Sequence, residues 1–161
     1  MKKMQKKWVE RFSQQAQLLA SWSKDPTTQV GAVIVNDRNQ ILSQGYNGLP
    51  MDARDDMLDD RDSKNRRTLH AEDNCILNAN SPLEGSSIII THPPCESCLS
   101  KLSQKGVKAI YYLSWVPSEE FYKRWDLDDC LEWASELKIN IFSVEEDFFL
   151  RKMNVSFVHS E

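Results

Sequence analysis

The sequence predicts an α/β fold in which helices cover both faces of a mixed sheet. Three observations carry this: an apolar repeat at helical spacing opens the chain, short β-branched segments are bounded by turn-forming residues, and after a leading hairpin these strands alternate with helical segments. At 161 residues the chain is long enough to bury a core, and residues 1–161 are expected to form a single domain.

Trp8, Phe12, Ala16, Leu19 and Ala20 recur on one helical face, predicting a helix over residues 6–22. Ser23-Lys24-Asp25-Pro26 ends it, because the residue before proline avoids the helical region. Residues 30–35 are β-branched and apolar, Asn36-Asp37-Arg38-Asn39 is turn-like, and 41–43 resume the apolar pattern, so a β-hairpin is expected. Residues 45–50 read as a loop whose glycines supply unusual backbone dihedrals. The mixed-charge run over 52–67 reads as a solvated loop or helix face. A helix follows over 68–78 with Thr68 as its N-cap, then a strand over 86–91. Pro93-Pro94 leads into a helix reaching residue 105, proline being suited to a first helical turn. A strand over 107–113, a helix over 128–137 and a strand over 139–144 complete the pattern. Phe148, Phe149 and Leu150 are expected to dock on the domain or on a neighbour.

The composition, 40% hydrophobic and 27% charged, is that of a globular protein. The apolar runs at 88–90 and 148–150 are far too short to span a bilayer, and no secretory signal pattern is visible. The expectation is a cytoplasmic protein (host cytoplasm for a phage-encoded chain) whose four cysteines are reduced or metal-bound. With a net charge of −4 and basic residues interleaved with acids, long nucleic acid is not a favoured partner.

The chemistry concentrates in Thr68-Leu69-His70-Ala71-Glu72 and Pro93-Pro94-Cys95-Glu96-Ser97-Cys98. One imidazole and two thiols make three ligands for zinc, and a catalytic zinc site keeps its fourth position open for water. Cys95 and Cys98 lie three apart at a helix start, where the N-terminal dipole favours thiolates. His70 and Glu72 are two apart, roughly 200° around a helix, so they converge only at the mouth of a pocket. Glu72 is then the spare acid that moves a proton from water to a ring nitrogen and a leaving amine, which is hydrolytic deamination of an amidine-like carbon. The order H-x-E…P-C-x-x-C is the signature of zinc deaminases. Cys75 and Cys130 read as core thiols and His159 as a tail histidine. His92, three before Cys95, stays open by spacing as a fourth ligand.

Residues 70–72 and 94–98 place the chain in resemblance with the cytidine-deaminase-like zinc superfamily. The stretches Ser23-Lys24-Asp25-Pro26-Thr27-Thr28-Gln29-Val30-Gly31-Ala32 and Gly45-Tyr46-Asn47-Gly48-Leu49-Pro50 resemble the deoxycytidylate (dCMP) deaminase family, over roughly 22–144. The resemblance implies a three-layer α/β/α sandwich around a five-stranded mixed sheet, one Zn2+ per subunit, and a homo-oligomer, commonly a hexamer. It implies dCMP as the nucleotide substrate and dUMP and ammonia as products, with regulation by nucleotides sensed near the 45–50 segment and Mg2+ accompanying an allosteric nucleotide. By position, His70, Cys95 and Cys98 bind zinc and Glu72 shuttles protons. Asn47 contacts the sugar hydroxyl, Ser23 and Lys24 hold the 5′-phosphate, and Ala71 joins the substrate-binding set. Arg66 and Arg67 are further phosphate candidates. The chain departs from the common family form at Cys75 and in the long segment 115–125, which is expected to line the pocket. The alternatives are a deaminase of dCTP or cytidine, or a non-catalytic zinc- and nucleotide-binding domain.

Overall fold

The computed structural model describes residues 3–155; His159, read above as a tail histidine, lies outside them. The chain runs α1 (Lys6–Ala20), β1 (Gly31–Val35), β2 (Ile41–Tyr46), a 3-10 turn (Asp55–Leu58), α2 (Arg61–Arg67), α3 (Ala71–Asn78) and β3 (Ser87–Ile90). It continues through α4 (Glu96–Gln104), β4 (Ala109–Leu113), α5 (Glu119–Arg124), α6 (Leu127–Glu136), β5 (Asn140–Val144) and β6 (Leu150–Met153). The strands form one sheet in the order β2-β1-β3-β4-β5-β6. The β1–β2, β1–β3 and β5–β6 pairs are antiparallel, and the β3–β4 and β4–β5 pairs are parallel. The expected mixed sheet is therefore present with six strands rather than five. The sixth is the tail segment, whose Leu150 pairs with Val144 and extends the sheet edge.

Strand periodicity sorts the core into two layers. Val33, Val35, Ile89, Tyr111 and Phe142 face α1, which contributes Val9, Phe12, Ala16 and Leu19. Ala32, Ile34, Ile88, Ile90, Ile110 and Ile141 face the opposite side, under Cys75 of α3, Leu99 and Leu102 of α4, and Leu131 of α6. Strands β1 and β4 are buried along their whole length, which explains their uninterrupted apolar character.

Two glycines position the layers by close approach. At Gly31 an added Cβ would collide with the Ala16 carbonyl, so α1 lies directly on β1. At Gly45 it would stand 2.9 Å from both Asn74 Cβ and Cys75 N, so β2 and α3 touch there. Gly45 and Gly48 are thus not required for unusual dihedrals: positive φ among the described glycines occurs at Gly85 and Gly106. Packing, not backbone handedness, selects Gly45.

Other boundaries shift for local reasons. The first helix ends at Ala20, before residue 22, with Trp22 half-exposed beyond it. The third helix is capped by His70 rather than Thr68, whose hydroxyl donates back to the Lys64 carbonyl and closes α2 instead. The charged run is partly helical, as α2, and the long segment after β4 contains α5. No helix among the described residues is long and apolar enough to cross a membrane.

Candidate active site

The N-termini of α3 and α4 meet at the edge of the core. His70 is the N-cap of α3, and its own N–H donates to the Asp73 carboxylate at 3.0 Å. Cys95 is the N-cap of α4, and its Sγ accepts the Cys98 backbone N–H at 3.4 Å. Lys101 of α4 reaches Asp73 of α3 at 2.7 Å and ties the two helix starts together. The result brings His70 Nδ1 to 3.2 Å from Cys98 Sγ and 3.7 Å from Cys95 Sγ. All three ligand atoms lie within 4.8 Å of one another.

The donor set fits zinc, with two sulfurs, one imidazole nitrogen and no fourth protein ligand in the cluster among the described residues. The hydrogen bond from Cys98, with help from His70, draws the Cys95 thiol down to about 4, while the Cys95 contact raises His70 to about 9. Cys98, bonded to the Cys95 sulfur and buried, is pushed up. Zinc takes cysteine as thiolate and histidine as neutral imidazole, so metal binding at this cluster releases protons. Cys75 donates to the Ala32 carbonyl at 3.3 Å with its thiol raised by burial, and Cys130 lies against the Pro94 carbonyl with its thiol raised by burial to about 12. Both are core thiols, as the spacing indicates.

A cavity of about 370 Å³ opens beside the cluster. Glu72, 4% exposed in the first turn of α3, lines it together with the fully buried Ala71. Burial pushes the Glu72 carboxyl up, against the hydrogen bond with Cys98 and the charge of His70, which pull it down. A carboxyl so held beside a metal site can both take and return a proton.

The rest of the lining is assembled from three segments. Asp25 takes the backbone N–H groups of Thr27 and Thr28 at 2.9 and 3.0 Å, and Lys64 of α2 at 3.1 Å. Both members of this ion pair are buried, at 7% and 3% exposure. Desolvation raises the Asp25 pKa, but its two N–H donors and Lys64 outweigh it and hold the carboxyl below the usual value. The pair pins α2 so that Arg61, Lys64, Asn65 and Thr68 line the cavity, the i, i+3, i+4, i+7 face of a helix. From the 115–125 segment, Phe121, Arg124 and Trp125 close the cavity, as expected for that segment. Trp125 donates to the Pro94 carbonyl at 3.3 Å, latching this wall to the cysteine loop.

The remaining sequence candidates have other positions. Asn47 lines the cavity, but its Oδ1 accepts Val30 N–H and its Nδ2 donates to the Thr28 carbonyl, both at 2.8 Å, leaving one amide hydrogen. Ser23 is buried and donates to the Asn47 carbonyl at 2.8 Å, so it supports that loop and does not line the cavity. Lys24 is exposed, pairs with Asp55 at 3.1 Å and borders a separate cavity beside Trp22 and Tyr46. Neither Ser23 nor Lys24 is brought to the cavity, because the lining begins at Asp25, with Thr27, Thr28 and Val30 following it. Arg66 and Arg67 lie off the α2 face that lines it. Sequence reasoning missed Asp25, Arg61 and Lys64 as cavity residues, and within the 115–125 segment it singled out no residue. The helical spacing of Arg61, Lys64 and Thr68 was the available signal, hidden within a charged run.

Comparisons with known proteins identify the family. Residues 6–114 match the family described as "Cytidine and deoxycytidylate deaminase zinc-binding region". An "Uncharacterized deaminase in luxG 3'region" of Aliivibrio fischeri is 48% identical over 120 residues, covering 74% of this chain and 80% of that one. Deoxycytidylate deaminase of Mus musculus is 41% identical over 115 residues, covering 66% of this chain and 65% of that one, so the match spans just under two thirds of the mouse protein. The crystal structure of dCMP deaminase from the cyanophage S-TIM5 in complex with dCMP and dUMP superposes with a TM-score of 0.71 at 25% identity, covering 88% of this chain and 99% of that one. The chain belongs to the cytidine and deoxycytidylate deaminase family.

Proposed function

We propose that this family member hydrolyses dCMP to dUMP and ammonia. The observation that carries the proposal is the conjunction of a His70–Cys95–Cys98 cluster and buried Glu72 with a cavity that Arg61 and Arg124 also line. His70, Cys95 and Cys98 hold the zinc, which when bound supplies Lewis-acid activation of a water. Glu72 accepts a proton as the water oxygen bonds to C4 of the cytosine ring and gives it to the ring nitrogen; it then takes the proton of the new C4 hydroxyl and passes it to the amine, which leaves as ammonia as C4=O forms and the C4–N bond breaks. Its raised affinity for protons suits both directions.

The phosphate is the part that needs cations. Arg61 and Arg124 form no ion pair among the described residues, so their guanidinium groups are available as forked donors to it. Lys64 is committed to Asp25, so its role in this proposal is to hold α2 in position. The remaining Asn47 amide hydrogen is available to a sugar oxygen, and Ala71 to contact with the base. The dCMP-bearing cyanophage structure supports the nucleotide class.

Turnover of the zinc-quantified protein on dCMP, dCTP, deoxycytidine and cytidine tests the proposal. Preference for dCMP is expected; equal rates on deoxycytidine and dCMP would remove the phosphate role of Arg61 and Arg124. The same proposal includes a single cytoplasmic deaminase domain over 1–161, assembly into a homo-oligomer, and regulation by nucleotide with Mg2+. Light scattering, and dCTP titration with and without Mg2+, test the last two.

A further inference from the structure

His92 lines the active cavity and has no part in the metal cluster or the proton path. It is 6% exposed and stands edge-on to Phe121, with ring centroids 5.0 Å apart at 76°. Its Nδ1 lies 2.8 Å from the hydroxyl of Thr91, which is itself fully buried.

The direction of that hydrogen bond follows from Thr91. Its oxygen already accepts the Gly31 backbone N–H at 3.2 Å, and among the described residues the hydroxyl proton has no acceptor other than His92 Nδ1. A buried hydroxyl proton takes the acceptor available to it. Thr91 therefore donates, Nδ1 carries the lone pair, and the ring proton sits on Nε2. Burial also holds the imidazole neutral, its pKa pushed down to about 4. The Nε2–H has no protein partner among the described residues, yet it is not sealed from solvent. What it meets is the cavity that the ring lines.

We infer that His92 is a substrate-binding residue, a neutral Nε2–H donor locked by Thr91 that hydrogen-bonds an uncharged acceptor oxygen of the bound nucleotide, on its sugar or base carbonyl. A neutral donor wedged against Phe121 suits such an oxygen better than a phosphate, which the exposed Arg61 and Arg124 serve. This also answers the spacing question left by the sequence: His92 spends Nδ1 on Thr91, and it lies outside the ligand cluster.

The inference rests on the deaminase reading, and the test separates the two. In the zinc-loaded protein with 15N-labelled histidine, three histidines give few resonances, and the one lost in His92→Gln identifies His92. That resonance is expected to have a pyrrole-type Nε2 and a pyridine-type Nδ1 at neutral pH; the reverse tautomer overturns the assignment. His92→Leu is expected to keep its zinc and lower kcat/KM for dCMP roughly tenfold through KM, as loss of one hydrogen bond does, with His92→Gln recovering part of it. Unchanged kcat/KM in zinc-replete His92→Leu overturns the role of His92 while leaving the deaminase reading intact. Wild-type protein inert towards dCMP sinks the deaminase reading and this role with it. On a substrate lacking the 3′-hydroxyl, convergence of wild type and His92→Leu assigns the acceptor to the sugar, and a persisting ratio assigns it to the base.

Discussion

The metal corner and the rest of the wall of the same cavity are built in different ways. At the metal corner each ligand is fixed by the element it begins: His70 caps α3, Cys95 caps α4, and Cys98 follows one turn later. In the rest of the wall, Asp25 and Lys64 are 39 residues apart, and Phe121 and Arg124 arrive from a third segment. Each half of the metal site survives as a short motif, because local backbone geometry at a helix start places its side chains, while the packing of α3 beside α4 brings the halves together. A wall made from distant segments exists only when the whole fold brings them together. In the proposed function, the chemistry falls to the first region and the choice of substrate to the second.

Breaking the two regions should give different signatures. The largest effect is expected at Glu72. Glu72→Ala should retain zinc and fold but lose turnover by roughly three orders of magnitude, within the range that positioned acid–base groups contribute. Cys98→Ala should lose activity together with metal, which elemental analysis detects. Intact turnover in Glu72→Ala would remove the proton path.

Next in size is the buried ion pair that holds the wall. Lys64→Met leaves Asp25 with its two backbone donors only, and should cost about 3 kcal/mol, roughly 10 °C in melting temperature. Because the folded carboxyl of Asp25 lies below its ordinary 3.8, its contribution is present above that pH and is lost as the pH falls through the lower folded value. Asp25→Asn should therefore flatten the acid limb of a melting-temperature profile; an unaltered limb would count against the pair.

Smaller effects test substrate choice. Arg124→Ala and Arg61→Ala should each raise KM for dCMP roughly tenfold or more, the size of a hydrogen bond to a charged group, while leaving deoxycytidine turnover unchanged. Equal losses on both substrates would assign these arginines to the fold. Least of all, Lys24→Ala should change dCMP kinetics by less than about twofold, since removing an exposed pair with Asp55 costs little. A large KM effect there would reverse the contrast between the two regions.

Five of the six strands and most helices were legible because apolar periodicity reports burial, and β1 and β4 are buried on both faces; β6, half-exposed at the sheet edge, was not. The His70, Glu72, Cys95 and Cys98 set was legible because spacing along a helix start is a local property. Helices α2 and α5 were not, since their charged and mixed faces carry little apolar period and tertiary contacts hold them: Lys64 to Asp25, and Trp125, just after α5, to Pro94. Lys24 and Arg66 looked as suitable for a phosphate as Arg61 and Arg124, because charge in a sequence has no direction.

By itself, then, the sequence determined the layered α/β architecture and the metal chemistry, both of which follow from periodicity and from spacing within a turn or two. Only the tertiary structure decided which cations face the cavity, that Asn47 has most of its amide committed to the backbone, and that Thr91 sets the proton position on His92. Those facts depend on contacts between segments far apart in the chain, where direction and burial are properties of the folded whole.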